Sequence, residues 1–149
     1  MHKAADFLST FRHILKLYER LFQDVCRRHG LTQNELRILS FLIHHPTRDT
    51  AGDIVQLRML PKGHVSQGVD ALMQKGLLQR RQDASDRRRQ HLSLTPAAAT
   101  VVQEIEQCTE QFEASLFAGF SPQERAQYEI WSGRIANNAK TALERKSFS

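Results

Sequence analysis

Apolar residues recur at three- and four-residue steps along most of this chain. Phe7, Phe11, Ile14, Leu15, Tyr18, Leu21, Phe22 and Val25 share one stripe, which predicts a single long amphipathic helix. Its expected stop is at His29 and Gly30, with Arg27 and Arg28 suited to the negative end of the helix dipole. The segment "TQNE" at 32–35 then reads as a capping box, in which Thr32 and Glu35 satisfy each other's free backbone donors. Leu36, Leu39, Leu42 and Ile43 form the buried face of the helix it opens, and Pro46 ends that helix. A short third helix follows in "DTAGDIVQLRML", capped by Thr50 or Asp49. A fourth starts at Pro61, buries Val65, Val69, Leu72 and Met73, and stops at Gly76. These two short helices, joined by a tight turn near Arg58 and Met59, have helix-turn-helix proportions.

After Gly76 the period shortens to two. "LLQRRQ" and "HLSLT" are short, and Leu92 and Leu94 alternate with polar neighbours, as in half-buried strands. The charged stretch between them holds Asp and Ser but no Gly, which predicts a hairpin with a longer loop than a two-residue turn. Thr95 and Pro96 begin another helix as cap and first-turn proline; its stripe runs Val101, Val102, Ile105, Cys108, Phe112 and Leu116. "SPQE" at 121–124 is a second capping box, and the last helix runs through Ile130, Ile135, Ala139 and Leu143. The fold class expected is mainly α (α+β). Residues 31–95 make a winged helix-turn-helix, and 1–30 with 96–149 make a helical dimerisation region. The long outer helices need a partner for their apolar faces, and a second copy of the chain related by a two-fold axis is the expected one.

Charge sharpens this picture. The chain carries 21 Lys and Arg against 16 Asp and Glu. Residues 58–94 alone hold eight basic and three acidic residues, so the surplus is concentrated on the helix-turn-helix and the hairpin. Five of the basic residues are Arg80, Arg81, Arg87, Arg88 and Arg89. A patch of this kind is the footprint of a polyanionic partner. No apolar run approaches a membrane span and no secretory h-region opens the chain, so a cytoplasmic protein with no membrane partner is expected. Two cysteines, Cys26 and Cys108, are too few for a disulfide framework. There is no Gly-rich phosphate loop, no Gly-x-Ser-x-Gly and no catalytic carboxylate pair with a histidine partner, so no enzymatic activity and no cofactor are expected.

The element order and the segment "DRRRQHLSLT" resemble the MarR family of bacterial winged helix-turn-helix transcriptional regulators. The family's wing reads Asp-x-Arg, three residues, then Leu-x-Leu-Thr. Asp86, Arg88, Leu92, Leu94 and Thr95 fit it without a gap. "LPKGHVSQGVDALMQKGLL" is similar to the family's recognition helix, with Val65, Val69, Leu72, Gly76 and Leu77 at matching places. Pro61, Gly63, His64 and Gly68 stand where Ser, Thr or Ala is more usual, and Gln67 where arginine is common, which bears on base preference rather than on fold.

The resemblance implies a homodimer that binds double-stranded DNA at a pseudo-palindromic operator, with repression as the family's default. Arg87, Arg88 and Arg89 at the hairpin tip would reach the minor groove, whose narrow A/T-rich stretches attract inserted arginine. Asp86 would hold the Arg88 guanidinium by a bidentate pair, as the family resemblance implies. Arg80, Arg81, Arg87 and Arg89 would more often meet phosphates, which position the protein without reading sequence. On the fourth helix, Lys62, Gly63, His64, Ser66 and Gln67 are the candidate groove-facing residues, Gln67 suiting adenine and Lys62 guanine or phosphate. Asp70 is expected to pair with a basic neighbour. Thr50 either places helix-terminal amides on a phosphate or serves as an ordinary cap.

The family also binds small aromatic or phenolic effectors. Phe11, Tyr18, Phe22, Arg37 and His44 are candidate lining residues here, against the plainer reading that an aromatic stripe at helical spacing is core. Cys26 is a redox candidate because Arg27 and Arg28 beside it would favour thiolate. With His29 it is also a thin metal pair, since only one cysteine joins that cluster, and no metal site is assigned. Cys108, in an apolar stripe, reads as core. The alternatives are thus a redox- or metal-responsive regulator acting through Cys26, or a winged helix whose basic wing docks an acidic protein.

Overall fold

The computed structural model describes residues 3–58 and 60–146. The expected turn at Arg58 and Met59 lies partly outside them. Helix α1 spans Lys3–His29, α2 Gln33–His44, α3 Ala51–Arg58 and α4 Lys62–Gln74. Strands β1 (Leu78–Gln82) and β2 (Gln90–Leu94) form one antiparallel hairpin in which Leu78 faces Leu94 and Arg80 faces Leu92. A 3-10 turn at Pro96–Ala98 leads into α5 (Ala99–Leu116), and α6 covers Pro122–Lys146. The chain is mainly helical with one winged helix-turn-helix.

Local sequence explains the element ends. Gly30, at φ 63°, lets the Leu31 amide reach back to the Cys26 carbonyl at 2.8 Å and closes α1. Gly76, at φ 75°, does the same for α4, with the Leu77 amide on the Leu72 carbonyl at 2.9 Å. Thr32 and Glu35 form their capping box at 3.1 and 3.4 Å. Thr50, not Asp49, caps α3 through a reciprocal box with Asp53. The cap expected at Thr95 is absent. Its hydroxyl donates instead to the Gly76 carbonyl at 2.5 Å, and its amide donates to Leu77, so Thr95 ties the hairpin base to the end of α4.

The chain divides into two compact units between Phe112 and Glu113. In the first, one core joins Phe22 and Val25 of α1, Leu36, Ile38, Leu39 and Phe41 of α2, Ile54 of α3, and Val65, Val69 and Leu72 of α4. Leu92 of β2 and Val101 and Ile105 of α5 complete it. The inner ends of the outer helices thus pack on the winged helix-turn-helix itself. In the second unit, Ser121 and Glu124 cap α6 reciprocally, and Arg125 lies 4.5 Å over the Phe117 ring while pairing with Glu113 at 2.8 Å.

Two features fix α4 against α2. Lys75, just past the end of α4, donates to the buried Glu35 carboxylate at 2.6 Å and to the Gly30 carbonyl at 2.7 Å, which joins three helix ends at one ammonium. Gly68 lies where the two helices meet. A Cβ there would fall well inside van der Waals contact of the Ile38 Cδ1, and Ile38 is fully buried, so its side chain has to shift within the packed core. Overpacking of this kind costs about 1–3 kcal/mol, against about 1 kcal/mol regained from alanine's better helix propensity. Gly68→Ala is therefore expected to lower the urea midpoint, by a net cost of up to about 2 kcal/mol. Gly63→Ala, with nothing within 4 Å of the added carbon, is the control and should be neutral or stabilising. Equal or greater stability of Gly68→Ala would show that the helices are not held at this distance.

Candidate nucleic-acid interface

The exposed side of α4 carries the residues singled out on it. Lys62, Gly63, His64, Ser66 and Gln67 all face solvent, while Val65, Gly68, Val69 and Leu72 face the core. Pro61 occupies the N-cap position, and its carbonyl accepts the Val65 amide at 3.1 Å. A shallow groove of about 270 Å³ between α3 and α4 is lined by Gly52, Val55, Lys62, Val65, Ser66 and Arg80. The His64 carbonyl accepts from the Asn34 side chain at 2.9 Å, which ties the first turn of α4 to α2.

The hairpin tip is a folded turn rather than a loose loop. Asp83 Oδ2 accepts from the Ser85 amide, the Ser85 hydroxyl and the Asp86 amide at 2.9–3.0 Å. The Asp83 amide donates to the Arg89 carbonyl, and the Arg89 amide to the Asp86 carbonyl. Arg87, Arg88 and Arg89 stand exposed on this turn, and their guanidinium groups have no ion pair among the described residues. Three cations thus project from one ordered tip.

Asp86 does not do what was expected of it. Its carboxylate accepts the Arg88 backbone amide at 2.9 Å, not the Arg88 guanidinium. In a turn this tight the amide two residues on is the nearest donor, and a carboxylate that takes it shapes the backbone and leaves the side chain free. Arg80 also departs from expectation. It pairs with Asp70 of α4 at 2.9 Å, so Asp70 has its basic neighbour and Arg80 bridges hairpin and helix. Arg81 is exposed. Thr50 is a cap whose own amide is taken by Asp53 at 3.2 Å, which leaves that donor unavailable to a phosphate.

The sequence reading missed His91, Asp49 and Asp83. His91 Nδ1 lies 2.6 Å from Asp49 and Nε2 lies 2.6 Å from Asp83. The Leu92 amide donates to the Asp49 carbonyl at 2.8 Å, so the segment before α3 runs alongside β2.

The candidate effector residues do not share one environment. Phe22 is fully buried in the core, tilted against Tyr18 at 4.4 Å between ring centroids, and so is not a lining residue. Burial raises the Tyr18 phenol above its ordinary value. Phe11 lies exposed on α1. Arg37 pairs with Glu19 at 3.1 Å and lines a groove with Gln33, Asn34, His64 and Gln67. His44 Nδ1 lies 2.7 Å from the Ser40 carbonyl.

Cys26 is buried, and burial pushes its thiol above the ordinary value, with the nearby Glu35 charge adding to the effect. The arginines expected to favour its thiolate are turned elsewhere, Arg27 to Asp24 and Arg28 to Glu104. The thiol is expected to react with a disulfide reagent at least about tenfold more slowly in the native protein than in urea. Equal rates would restore it as a redox candidate. Burial likewise raises the Cys108 thiol. Among the described residues no group of three metal-ligating side chains comes together, and no helix is long and apolar enough to cross a membrane.

Residues 29–89 match a model of the MarR family. No curated protein sequence matches the chain. Among solved structures, MepR of S. aureus in its DNA-binding conformation is similar over 89% of this chain and 98% of its own, at 22% identity and a TM-score of 0.81. A MarR-family transcriptional regulator from Silicibacter pomeroyi is similar over 87% of this chain and 86% of its own, at 23% identity and a TM-score of 0.74. BpsR of Bordetella bronchiseptica, whose DNA binding is regulated by 6-hydroxynicotinic acid, is similar over 88% and 98%, at 23% identity and a TM-score of 0.67. At these identities the likeness is one of fold.

Proposed function

We propose, on the match of residues 29–89 to a model of the MarR family, that the chain is a MarR-type sequence-specific DNA-binding transcription regulator acting as a repressor. The observation that carries this reading is the ordered hairpin tip with Arg87, Arg88 and Arg89 unpaired among the described residues, beside an α4 face made of Lys62, His64, Ser66 and Gln67. The α4 face enters the major groove, where Gln67 can read adenine through two hydrogen bonds. The wing lies along the adjacent minor groove, and Arg81 meets phosphate. The S. aureus relative has been captured in complex with DNA, which supports the same use of the fold here.

The protein acts as a homodimer. Phe7, Leu8, Phe11 and Leu15 are exposed on α1, and Ile130, Trp131, Ile135 and Leu143 on α6. Apolar faces of this extent call for burial against a second copy, and a two-fold pair of α4 helices then reads half-sites about one helical turn apart. Residues 1–30 and 96–149 serve that contact, and 31–95 serve DNA. A small aromatic or phenolic effector releases the operator, as 6-hydroxynicotinic acid regulates DNA binding by BpsR.

Selection of bound fragments from a random duplex library at near-physiological salt tests this directly. The expected result is a pseudo-palindrome bound about 10³-fold or more tighter than random duplex. Failure to enrich any sequence, with retention of an acidic protein at the same salt, would make the wing a protein-docking surface instead.

A further inference from the structure

We propose that His91 is a positioning residue of the wing: its doubly protonated ring latches the hairpin tip to the segment before α3, and the latch opens as pH rises. A neutral imidazole has one N–H. Here both ring nitrogens sit 2.6 Å from carboxylate oxygens, Asp49 on one side and Asp83 on the other. A lone pair facing a carboxylate at that distance is repulsive, so the geometry is that of an imidazolium donating twice. The two acceptors belong to different parts of the chain. Asp49 leads into α3, and its carbonyl accepts the Leu92 amide. Asp83 organises the tip by accepting from Ser85 and Asp86. His91 therefore sits between the helix-turn-helix and the turn that presents Arg87, Arg88 and Arg89.

The surrounding charges are few. From β1, Arg81 is the cross-strand partner of His91 and, with Arg80, lines the same cleft of about 380 Å³. Arg80 is engaged by Asp70 of α4. Beside Asp49, Arg48 pairs with Asp53 at 3.9 Å. The hydrogen bonds to Asp49 and then Asp83 hold the His91 ring above the ordinary histidine value, and the His91 contact is the first cause keeping Asp83 well below the usual carboxylate range.

The sign follows from linkage. The latched ring binds its proton more tightly than the free one, so the latch is complete below the free-ring value and is lost as pH rises through the latched value. Between the two values the latched-to-open ratio falls by up to about tenfold per pH unit. One neutral ring cannot serve both carboxylates, and Asp49 and Asp83 then repel each other.

The test is an NMR titration of the full chain from about pH 6 to about pH 9, spanning the ordinary histidine value and the range above it. Histidine ring shifts and amide protection factors for residues 83–92 are read together. Protection of Asp83, Arg89 and Leu92 is expected to fall from the ordinary histidine value up to the His91 ring midpoint and to level off above it. In His91→Gln, which cannot titrate, it should be low and flat. In Asp49→Asn, both the ring midpoint and the loss of protection should move to lower pH. Wild-type protection that stays flat between the ordinary histidine value and the His91 ring midpoint, or a His91→Gln variant that keeps the wild-type slope, would overturn the latch. The consequence for DNA rests on the function proposed above and is read separately, as operator affinity of wild type and His91→Gln over the same range. The contribution of exposed His64 is common to both proteins. A pH-dependent tip with pH-independent affinity upholds the latch and removes the wing from DNA recognition. A flat tip with intact operator binding removes the latch alone.

Discussion

Replacing Arg87, Arg88 and Arg89 together by alanine is expected to weaken operator binding by on the order of a hundredfold or more, and to flatten its salt dependence, while leaving the fold intact. All three side chains are exposed and take no part in the core, and the hydrogen bonds that shape the tip use backbone atoms of these residues, which alanine retains. Every phosphate neutralised by an arginine contributes about 0.9 to the slope of log affinity against log salt. A dimer that loses three cations per protomer should lose several units of slope if all reach phosphate. An arginine seated in the minor groove gives a different pattern. Arg88→Ala alone should cost affinity mainly for operators with A/T-rich flanks and change the slope by no more than about one. Filter binding or anisotropy across a salt series on two operators differing only in those flanks separates the two roles. Unchanged affinity and slope in the triple variant would sink the wing as a DNA contact.

The features legible in the sequence were those written in near neighbours. Thr32 with Glu35 and Ser121 with Glu124 are three residues apart, and the reciprocal hydrogen bonds of a capping box follow from that spacing. Gly30 and Gly76 sit where apolar periodicity ends, and both adopt the positive φ that closes a helix. Alternation at Leu92 and Leu94 was enough to place β2. What escaped was chemistry assembled over distance. His91 looks like an ordinary half-exposed strand residue, and nothing local points to Asp49, which lies 42 positions earlier. Asp86 and Arg88 misled in the opposite way. Opposite charges two residues apart suggested an ion pair, but in a tight turn the nearer donor is the amide. Arg80 shows how pairing across elements decides which cations of a basic patch remain free, since the packing of β1 on α4 brings it beside Asp70 and leaves Arg87, Arg88 and Arg89 unpaired among the described residues.

The same limit explains Phe22, and its replacement should have the largest effect on stability. On a helical wheel Phe22 shares a stripe with Phe11 and Tyr18, so sequence alone allows it to line a ligand cavity. In the fold, the stripe divides along its length. Phe7, Phe11 and Leu15 remain exposed, while Phe22 and Val25 are fully buried where α1 crosses the winged helix-turn-helix. The Phe22 ring packs at a tilt against Tyr18, which in turn meets Phe112 of α5 edge-on at 5.4 Å. Truncating a buried phenylalanine costs about 3–5 kcal/mol, from lost transfer free energy and from the cavity left behind. That is a large part of the roughly 5–15 kcal/mol that holds a typical domain together. Phe22→Ala should therefore show a sharply lower urea midpoint and thermal transition, with DNA binding lost only in proportion to the unfolded fraction. Phe11→Ala, on the exposed half, should leave the stability of one protomer within about 0.5 kcal/mol and shift the dimer equilibrium instead. Were Phe22→Ala to fold with near-native stability and lose only its response to an aromatic effector, the residue would be a ligand contact, and the core would have to close without it.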